Sequence, residues 1–399
     1  MPIELSANQL RLLRLRSQRL EPRSRLPALP PEGVVGQVVA LQAQDAAAAA
    51  LSLWARSPDL SATDVEQARS TDRTLVRTWL LRGTLHLLAS ADLGWMLPLL
   101  GPVFAASDSA RRAQLGLDDS TCTRGLDLLR QVLTGQPPLT RERIVPLLAE
   151  KGLPLAGQAV PHLLALAAFQ GILCLGPDQK NKPTYVLLDE WLPGFQATLS
   201  HPEPRSEALS RLARRYLRAY APAAPADLAK WSGLLMPDVR SAWDSIAGDL
   251  AAVTFDGRSL WLPKARLSWL DGVPRGGPRG REASRVTEQV PLPPEPSVRL
   301  LPAFDTYLLG YASRDLAIAP RFERRLNAGG GILHPVVLVD GLAVASWRLE
   351  RSEGRGKRLE LSVDPFEPLV PAILSGLESE SAVLSRFLNQ PVDLVIRTF

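Results

Sequence analysis

The sequence predicts an α+β fold in which three tandem winged-helix units precede a β-rich C-terminal domain. Helical stretches followed by a β-hairpin signal occur three times in series, and strand-like runs dominate the C-terminal quarter. Helices that precede a hairpin are typical of the winged-helix unit, a helix-turn-helix variant. The predicted boundaries are 1–105, 106–200 and 201–270 for the three units, 271–296 for a linker and 297–399 for the C-terminal domain.

The first unit begins with a periodic helical stretch, "SANQLRLLRLRSQRL", in which Ser6 is the expected N-cap. Two further helical stretches follow, an alanine-rich one and "SATDVEQARS". The unit closes with "TLVRTWLLRGTLHLLA", in which two β-rich runs flank Arg82 and Gly83, a tight-turn signal. We therefore expect a hairpin that turns at these two residues.

The second unit repeats this order in "TRGLDLLRQVLTG", "LTRERIVPLLAEKG" and "AGQAVPHLLALAAFQG". Thr140 is the expected cap of its middle helix, and Glu142 lies early in the first turn, where the helix dipole favours an acid. The hairpin "ILCLGPDQKNKPTYVLL" closes this unit, and its polar tip carries Lys180 and Lys182.

The third unit contains "SEALSRLARRYLRAYAP", "APADLAKWSGL" and "MPDVRSAWDSIAGD", followed by the hairpin "LAAVTFDGRSLWLP". Asp256 and Gly257 are a strong two-residue turn signal within that hairpin. A linker rich in Pro, Gly and Arg comes next, and it is either a solvated spacer or a phosphate-contacting loop. Its arginines are Arg275, Arg279, Arg281 and Arg285.

The C-terminal domain is predicted from four strand-like stretches and one helical stretch. Asp340 and Gly341 mark a hairpin turn between two of the strands. The strand-like stretches are "SVRLLPAFDTYLLGY", "ILHPVVLVDGLAVASWRLE", "KRLELSV" and "VDLVIRTF", and the helical one is "VPAILSGLESESAVLSRFL".

Composition limits the class of protein. A hydrophobic content of 46% with 22% charged residues is typical of a folded soluble chain, and no apolar run is long enough to span a membrane. Two isolated cysteines suit a reducing cytosol, and four histidines without ligand spacing predict neither a metal site nor a cofactor. The net charge of +5 comes almost entirely from arginine, which suits a polyanionic partner, although coding bias explains it equally.

The stretch "QAQD" stands directly ahead of an alanine run. Side chains two residues apart diverge on a helix but point the same way in an extended chain. If Gln42 and Gln44 cooperate, the segment is therefore extended, Ala43 packs inward and Asp45 caps the alanine-rich helix. The alternative is that both glutamines decorate one continuous surface helix, and their spacing leaves this open.

Four motifs together resemble the AlkZ/YcaQ family of bacterial DNA glycosylases. They are "LQAQD", "LVRTWLLRGTLHLL", "LLPAFDTYLLGY" and "GGGILHPVVLVDG", and they occur in the expected order over most of the chain. The resemblance implies three winged-helix units and a C-terminal β-barrel that form a concave surface for double-stranded DNA. It also implies excision of bulky alkylated bases and, in some members, unhooking of interstrand crosslinks. The family's active-site motif falls on Gln42, Ala43 and Gln44 in its AlkZ-like form.

This resemblance gives the glutamines a plausible chemistry. Alkylation of a purine at N7 or N3 makes the base cationic, so it leaves without a general acid. A glutamine can hold the attacking water through its carbonyl oxygen, and fixed dipoles can stabilise an oxocarbenium-like sugar. We therefore expect Gln42 and Gln44 to be catalytic, and neutral damage such as uracil to remain uncut. No lysine lies near the motif to form a Schiff base, which predicts a monofunctional glycosylase, and we expect it to act as a cytoplasmic, nucleoid-associated monomer.

Further residues are expected to contact DNA or to line the site. They belong to the first hairpin, the presumed recognition helix and hairpin tip of the second unit, the linker, and the stretch "FDTYLLGYASR". For the histidines and for the polar residues of that last stretch, a structural role as a packed or hydrogen-bonded group remains open. The predicted residues are Arg77, Arg82, His86, His162, Lys180, Lys182, Arg279, Arg281, Asp305, Tyr307 and Arg314.

Two other classes of function compete with a glycosylase. Winged helices usually serve transcription regulators, in which "QAQ" would have no catalytic role, but regulators are typically dimers and no dimerising coiled coil is evident. An architectural DNA-binding protein shares the basic surface but forms no product. The sequence also leaves open whether a glycosylase would serve housekeeping repair or self-resistance to a genotoxic natural product.

Overall fold

The computed structural model describes residues 3–21, 29–271, 296–327, 329, 333–351 and 358–397. These residues form a six-stranded, a three-stranded and a five-stranded β-sheet together with the helices that cover them. The predicted α+β class is therefore correct, and within each predicted unit helices precede a hairpin. The winged-helix assignment and the domain boundaries stay predictions.

The N-terminal elements surround the "QAQD" segment. Ser6 caps the first helix in a capping box with Gln9, as expected from the sequence. The predicted hairpin forms, but its connection runs from Leu80 to Thr84 and includes a 3-10 turn in which Arg82 has a φ of 55°. The elements are β1 (Ile3–Glu4), α1 (Ala7–Ser17), α2 (Pro31–Val38), β2 (Leu41–Gln42), α3 (Ala46–Arg56), α4 (Ala62–Ser70), β3 (Leu75–Trp79) and β4 (Leu85–Ala89).

The middle of the chain contains the three predicted helices and the hairpin of the second unit. Thr140 stands at the N-cap position, although its side chain makes no capping bond to the helix backbone. The long helix α5 had no counterpart in the sequence prediction. The elements are α5 (Ser90–Ser107), α6 (Ser109–Gln114), α7 (Asp119–Leu133), β5 (Leu139–Thr140), α8 (Arg141–Glu150), α9 (Ala159–Phe169), β6 (Leu173–Leu175), β7 (Thr184–Leu187), α10 (Leu188–Trp191) and α11 (Phe195–Ser200).

The first and second hairpins share one sheet. Its strand order is β2-β4-β3-β6-β7-β5, and β3 meets β6 where Arg77 pairs with Leu175. The short strand β2 therefore lies at one edge, paired antiparallel with β4. This arrangement places the "QAQD" segment beside the first hairpin, whose strand β3 also meets β6.

The third unit packs against the first. Asp256 and Gly257 form the predicted two-residue turn with positive φ values, and β1 extends this hairpin by pairing parallel with β8. Helix α12 packs on α2 and on α5. The elements are α12 (Arg205–Tyr220), α13 (Pro225–Ser232), α14 (Met236–Ile246), β8 (Leu250–Phe255) and β9 (Arg258–Pro263).

The C-terminal region contains the five-stranded sheet, in sequential order, and a long crossover helix. Residues 306–309 had been predicted as strand but are helical, because the Asp305 carboxylate caps them by accepting from the Tyr307 amide. The elements are β10 (Val298–Leu301), α15 (Thr306–Leu309), α16 (Glu323–Leu326), β11 (Val336–Val339), β12 (Leu342–Arg351), β13 (Leu359–Pro365), α17 (Pro371–Leu388) and β14 (Val392–Ile396).

The predicted barrel is wrong, because the described strands form an open sheet with β10 and β14 at its edges. Strand β14 pairs parallel with β13, and parallel neighbours need a crossover connection, which α17 supplies. This helix packs against both edge strands. At Gly376 it approaches β10 so closely that an added Cβ would lie 2.4 Å from Val298. The helix thus spans the two edge strands that a closed barrel would have to pair.

Two hydrophobic cores hold the molecule together. One joins the predicted first and third units and the C-terminal sheet, whereas a smaller one lies within residues 117–187. The first, third and C-terminal regions therefore share one core. Most buried hydrophobic residues of the second unit form the smaller core, whereas others belong to the larger one, namely Phe169, Cys174, Val186, Leu188, Trp191 and Phe195. In the part of the chain described, no helix has the length and apolarity needed to cross a membrane.

Candidate functional site

The glutamine segment is extended, not helical. Leu41 and Gln42 pair with Leu87 and His86 of β4, and the Ala43 amide donates to the Leu85 carbonyl oxygen (2.7 Å). Ala43 is fully buried, whereas Gln42 is half-buried and Gln44 is exposed. Alternate burial is what an extended chain at a sheet edge produces. The two glutamines therefore flank a residue that packs into the core.

The alanine-rich helix begins directly after the segment, with Asp45 as its cap. The Asp45 carboxylate accepts hydrogen bonds from the amides of Ala47 (2.8 Å) and Ala48 (3.2 Å). Two otherwise unpaired amides of the first helical turn are thus satisfied by one side chain. The alternative of one continuous surface helix through both glutamines does not match this structure.

Arg77 holds the backbone of the segment from β3. Its Nε–H donates to the Ala43 carbonyl oxygen (2.8 Å), and its Nη2 donates to the Gln44 carbonyl oxygen (3.0 Å). Its Nη1 donates to the Asp178 carboxylate (3.2 Å) in the loop between β6 and β7. Burial lowers the pKa of Arg77, and Asp178 partly offsets this effect.

The predicted DNA contact of Arg77 is not supported by this placement. Only 5% of the residue is exposed, and each of its three guanidinium nitrogens already donates to a protein oxygen. Such low exposure leaves a phosphate little access to the group. The reason is positional, because β3 is an inner strand of the six-stranded sheet.

Arg82 contacts the side chain of Gln42. Its Nη2 donates to the Gln42 Oε1 (2.5 Å), and its Nη1 donates to the carbonyl oxygen of Trp231 in α13. Burial lowers the pKa of Arg82. The sequence predicts that the carbonyl oxygen of a glutamine side chain holds the attacking water. In the structure, a cation already donates to that oxygen of Gln42. A carbonyl oxygen has two acceptor positions, so one remains for a further donor.

His86 lies directly opposite Gln42 in the β2–β4 pair and is buried. Burial and the nearby Arg82 charge lower its pKa from 6.5 to about 3, against the raising effect of its hydrogen bond with Thr84. The ring Nδ1 lies 3.0 Å from the Thr84 carbonyl oxygen, so this nitrogen is the donor and carries the proton. His86 is therefore neutral at pH 7 and cannot offer a phosphate a positive charge.

These residues place fixed dipoles and two guanidinium groups around the glutamines, and His86 beside them is neutral at pH 7. The one carboxylate in the segment, Asp45, is committed to its helix cap. Such a site can orient a water molecule and stabilise positive charge on a sugar by preorganised dipoles. It is poorly suited to protonating a neutral leaving group. Among the described residues, no three His, Cys, Asp or Glu side chains gather as metal ligands would.

A cavity of about 290 Å³ adjoins this site beyond Arg82. Its walls come from the first hairpin, α5 and α9, and they include Trp79, Phe104 and Phe169. His162 lies on α9, as predicted, and its Nδ1 is 2.7 Å from Asp108 Oδ2. The residue lines the cavity with about a quarter of its side chain exposed. Its predicted DNA contact remains untested.

The two predicted lysines lie at the tip of the second hairpin. Both are exposed, and Lys182 Nζ donates to Glu142 Oε1 (3.2 Å). Lys180 occupies the turn with a φ of 49°. Their role as phosphate contacts stays a prediction. Arg279 and Arg281, like the rest of the basic linker sequence 272–295, lie outside the described residues.

The residues predicted from "FDTYLLGYASR" make bonds to other protein groups. Asp305 is fully buried and accepts from Arg56 through both carboxylate oxygens (2.8 and 2.9 Å), while Tyr307 is buried and donates to the Gly341 carbonyl oxygen (3.0 Å). Arg314 donates to the Leu308 carbonyl oxygen (3.3 Å) and lies 4.0 Å from Glu323. These bonds do not involve Gln42 or Gln44, and the predicted site or DNA role of the three residues stays a prediction.

Two important residues had escaped sequence reasoning. Arg56 and Ser52 of α3 both bind the Asp305 carboxylate, which ties the helix after the glutamine segment to the C-terminal region. An arginine in an otherwise apolar helix, four residues after a serine, was the available signal. The backbone carbonyl of Trp231 had no signal at all, because backbone acceptors are invisible in a sequence.

Comparisons with known proteins agree with this geometry. The family model of AlkZ-like DNA glycosylases matches residues 35–387, a span that contains the glutamine segment and both arginines. The chain is 27% identical over 387 residues to the interstrand DNA cross-link repair glycosylase of Streptomyces sahachiroi, with 94% of each chain covered. The solved structure of the Streptomyces sahachiroi DNA glycosylase AlkZ matches with a TM-score of 0.76 and 25% identity, over 98% of this chain and 100% of that one.

Proposed function

The chain belongs to the AlkZ-like DNA glycosylase family, and from that premise we propose that it hydrolyses the N-glycosidic bond of bulky, cationic N7- or N3-alkylated purines in double-stranded DNA. The observation that carries the proposal is the extended segment, in which Gln42 and Gln44 flank the buried Ala43. The relative named for interstrand cross-link repair suggests that crosslinked purines belong to the substrate class.

In this proposal, the leaving base supplies its own positive charge. Gln42 and Gln44 orient the attacking water toward C1′, and the free acceptor position of Gln42 Oε1 is one place to hold it. Neutral His86 neither protonates the base nor repels its positive charge. The site therefore favours adducts that leave as neutral molecules once the bond breaks, and it leaves uracil uncut.

DNA is proposed to lie across the helix–hairpin units, which act as winged helices. The second hairpin offers exposed lysines at its tip, and the excess of arginine favours phosphate contacts throughout. The protein is proposed to act as a monofunctional, monomeric enzyme in repair or in self-resistance. A bulky adduct hinders extrusion of the base, so attack from an open cleft is the geometry we favour.

The test is a pair of duplexes that differ in one base. One carries a single N7-alkylguanine and the other a single uracil, and heat or alkali reveals abasic sites on a denaturing gel. Purified protein is expected to release the N7-alkylguanine and to leave uracil intact. Equal cutting of both bases would contradict the selectivity argument, and tight binding without cleavage would point to a DNA-binding protein without catalytic function.

A further inference from the structure

We propose that Arg77 in β3 and Arg82 in the turn between β3 and β4 are positioning residues for the glutamine segment. Arg77 holds its backbone, and Arg82 holds the side chain of Gln42. The inference rests on the proposed function, in which the two glutamines orient the attacking water. Neither arginine needs to touch DNA for this role.

Arg77 defines the path of the chain between the two glutamines. It donates to two consecutive carbonyl oxygens, those of Ala43 and Gln44, at the bend where β2 ends and α3 begins. Backbone acceptors at such a bend have no ladder partner and need a donor from elsewhere. A planar guanidinium supplies two parallel donors at fixed spacing, which a lysine ammonium cannot.

The second unit completes this contact. Asp178 accepts from Arg77 (3.2 Å) and lies 4.0 Å from a nitrogen of Arg69. A guanidinium that is only 5% exposed requires such a counterion, because an unpaired buried charge is costly. The loop between β6 and β7 therefore stabilises the backbone of the glutamine segment in the neighbouring unit.

Arg82 fixes the amide of Gln42. A glutamine side chain has several freely rotating bonds, and its orientation is lost unless a partner holds it. The Arg82 Nη2 holds Oε1 at 2.5 Å, and because the amide is planar this also sets the direction of its NH2 group. Preorganisation of this kind removes an entropic cost from the chemical step.

The backbone of Arg82 is consistent with a demanding role. A φ of 55° is a left-handed conformation that is unfavourable for a residue with a Cβ. In this conformation the guanidinium reaches both Gln42 and the Trp231 carbonyl oxygen of the third unit. The segment is thus held by the second unit through Arg77 and by the third through Arg82.

The experiment compares Arg77→Lys and Arg82→Lys with Arg73→Lys. Arg73 is a matched control, because it binds the Trp191 carbonyl oxygen (3.1 Å) and packs on that ring at 4.2 Å without touching the glutamine segment. On an N7-alkylguanine duplex, we expect the first two variants to lose between about ten- and a hundredfold in kcat, with KM within about twofold of wild type. The control is expected to retain wild-type kcat. Wild-type kcat in both test variants would overturn the proposal.

The salt dependence of binding separates positioning from a direct phosphate contact. Loss of one phosphate contact lowers the slope of log K against log salt by about 0.9. Because a lysine keeps the charge, this measurement uses Arg77→Gln and Arg82→Gln. A positioning residue leaves the slope unchanged, and this is the expected result for both glutamine variants. A reduced slope with unchanged kcat would make Arg77 or Arg82 a DNA contact, as the sequence had suggested, and would overturn the role proposed here.

A spectroscopic measurement keeps this test independent of the enzyme assay. The side-chain NH2 resonances of Gln42, assigned by their loss in Gln42→Ala, are expected to shift in Arg82→Lys and to stay in place in Arg73→Lys. An unchanged resonance in Arg82→Lys would overturn the proposal even if the protein is active. If wild type cuts no alkylated purine, the proposed function fails while this measurement still decides the positioning role. Should Arg77→Lys fail to fold, Asp178→Asn tests the same contact with Arg77 in place.

Discussion

At the scale of single residues, the site is defined by which polar atoms already make hydrogen bonds within the protein. Arg77 and Arg82 donate to the glutamine segment, His86 donates to a carbonyl oxygen, and Asp45 accepts from two amides. The side chain of Gln44 is exposed, and Gln42 keeps an acceptor position for a further donor. The side chains of the two glutamines can therefore still bind a substrate or a water molecule.

The buried, neutral His86 gives the protein a specific pH dependence of stability. Its pKa is about 3 in the folded protein and about 6.5 when exposed, so the unfolded chain binds more protons between these values. The free energy of unfolding should therefore fall as pH drops below about 6.5, by up to about 1.4 kcal/mol per pH unit. Urea denaturation at pH 7 and pH 5 measures this change. His86→Asn should lose this component of the slope, and an identical slope in that variant would exclude His86 as its source.

At the scale of elements, β2 and α3 form one strand-to-helix junction. Gln42 ends the strand, Gln44 lies in the bend that follows, and the helix begins immediately behind them at the Asp45 cap. The hairpin β3–β4 carries the residues that hold this junction in place. The geometry of the β2–α3 junction therefore follows from the Asp45 cap and from the pairing of β2 at the edge of the sheet.

As the helix cap, Asp45 is expected to contribute to the stability of the protein and not to its catalytic rate. Asp45→Ala should lower the free energy of unfolding by about 1 kcal/mol, because two helix amides lose their acceptor. Asp45→Ser, which keeps a capping oxygen but no charge, should retain both stability and glycosylase rate. A stable Asp45→Ser protein with a collapsed rate would show instead that the carboxylate charge contributes to catalysis.

Local signals predicted part of this junction, and long-range packing explains what they missed. The cap at Asp45 was readable from the sequence, whereas the spacing of Gln42 and Gln44 left an extended segment and a continuous surface helix both open. The two-residue turns at Asp256 and Asp340 were likewise readable from their following glycines. The open C-terminal sheet was not readable, because the parallel register of β14 depends on how α17 packs. The roles of Arg77 and Arg82 depend on partners far away along the chain, which periodicity does not encode.

At the scale of the whole molecule, the first unit is joined to each of the other regions by a different polar contact. Arg77 binds Asp178 of the second unit, and Arg82 binds the third unit at Trp231. Arg56 binds Asp305 at the start of the C-terminal region, inside the shared core. The glutamine segment thus lies where these contacts converge.

The buried pair of Arg56 and Asp305 should contribute most to the stability of the contact between the first unit and the C-terminal region. Neither side chain is exposed, and the Arg56 charge and the bonds to the carboxylate lower the pKa of Asp305 although burial alone would raise it. Asp305→Ala leaves a buried cation without its partner, which should cost about 3–5 kcal/mol in the free energy of unfolding. Asp127→Ala, which breaks an exposed pair with Arg130, should cost less than about 1 kcal/mol. Equal costs in the two variants, measured by chemical denaturation, would contradict this view of the core.

The most direct test of the account is a single-turnover assay of a Gln42→Ala, Gln44→Ala double variant on a duplex with one N7-alkylguanine. Gln131→Ala removes an exposed glutamine of α7 and serves as the matched control. We expect the control to release the base at the wild-type rate, and the double variant to lose nearly all cleavage while it binds the duplex with unchanged affinity. Wild-type cleavage by the double variant would contradict the central claim that these two glutamines form the catalytic centre.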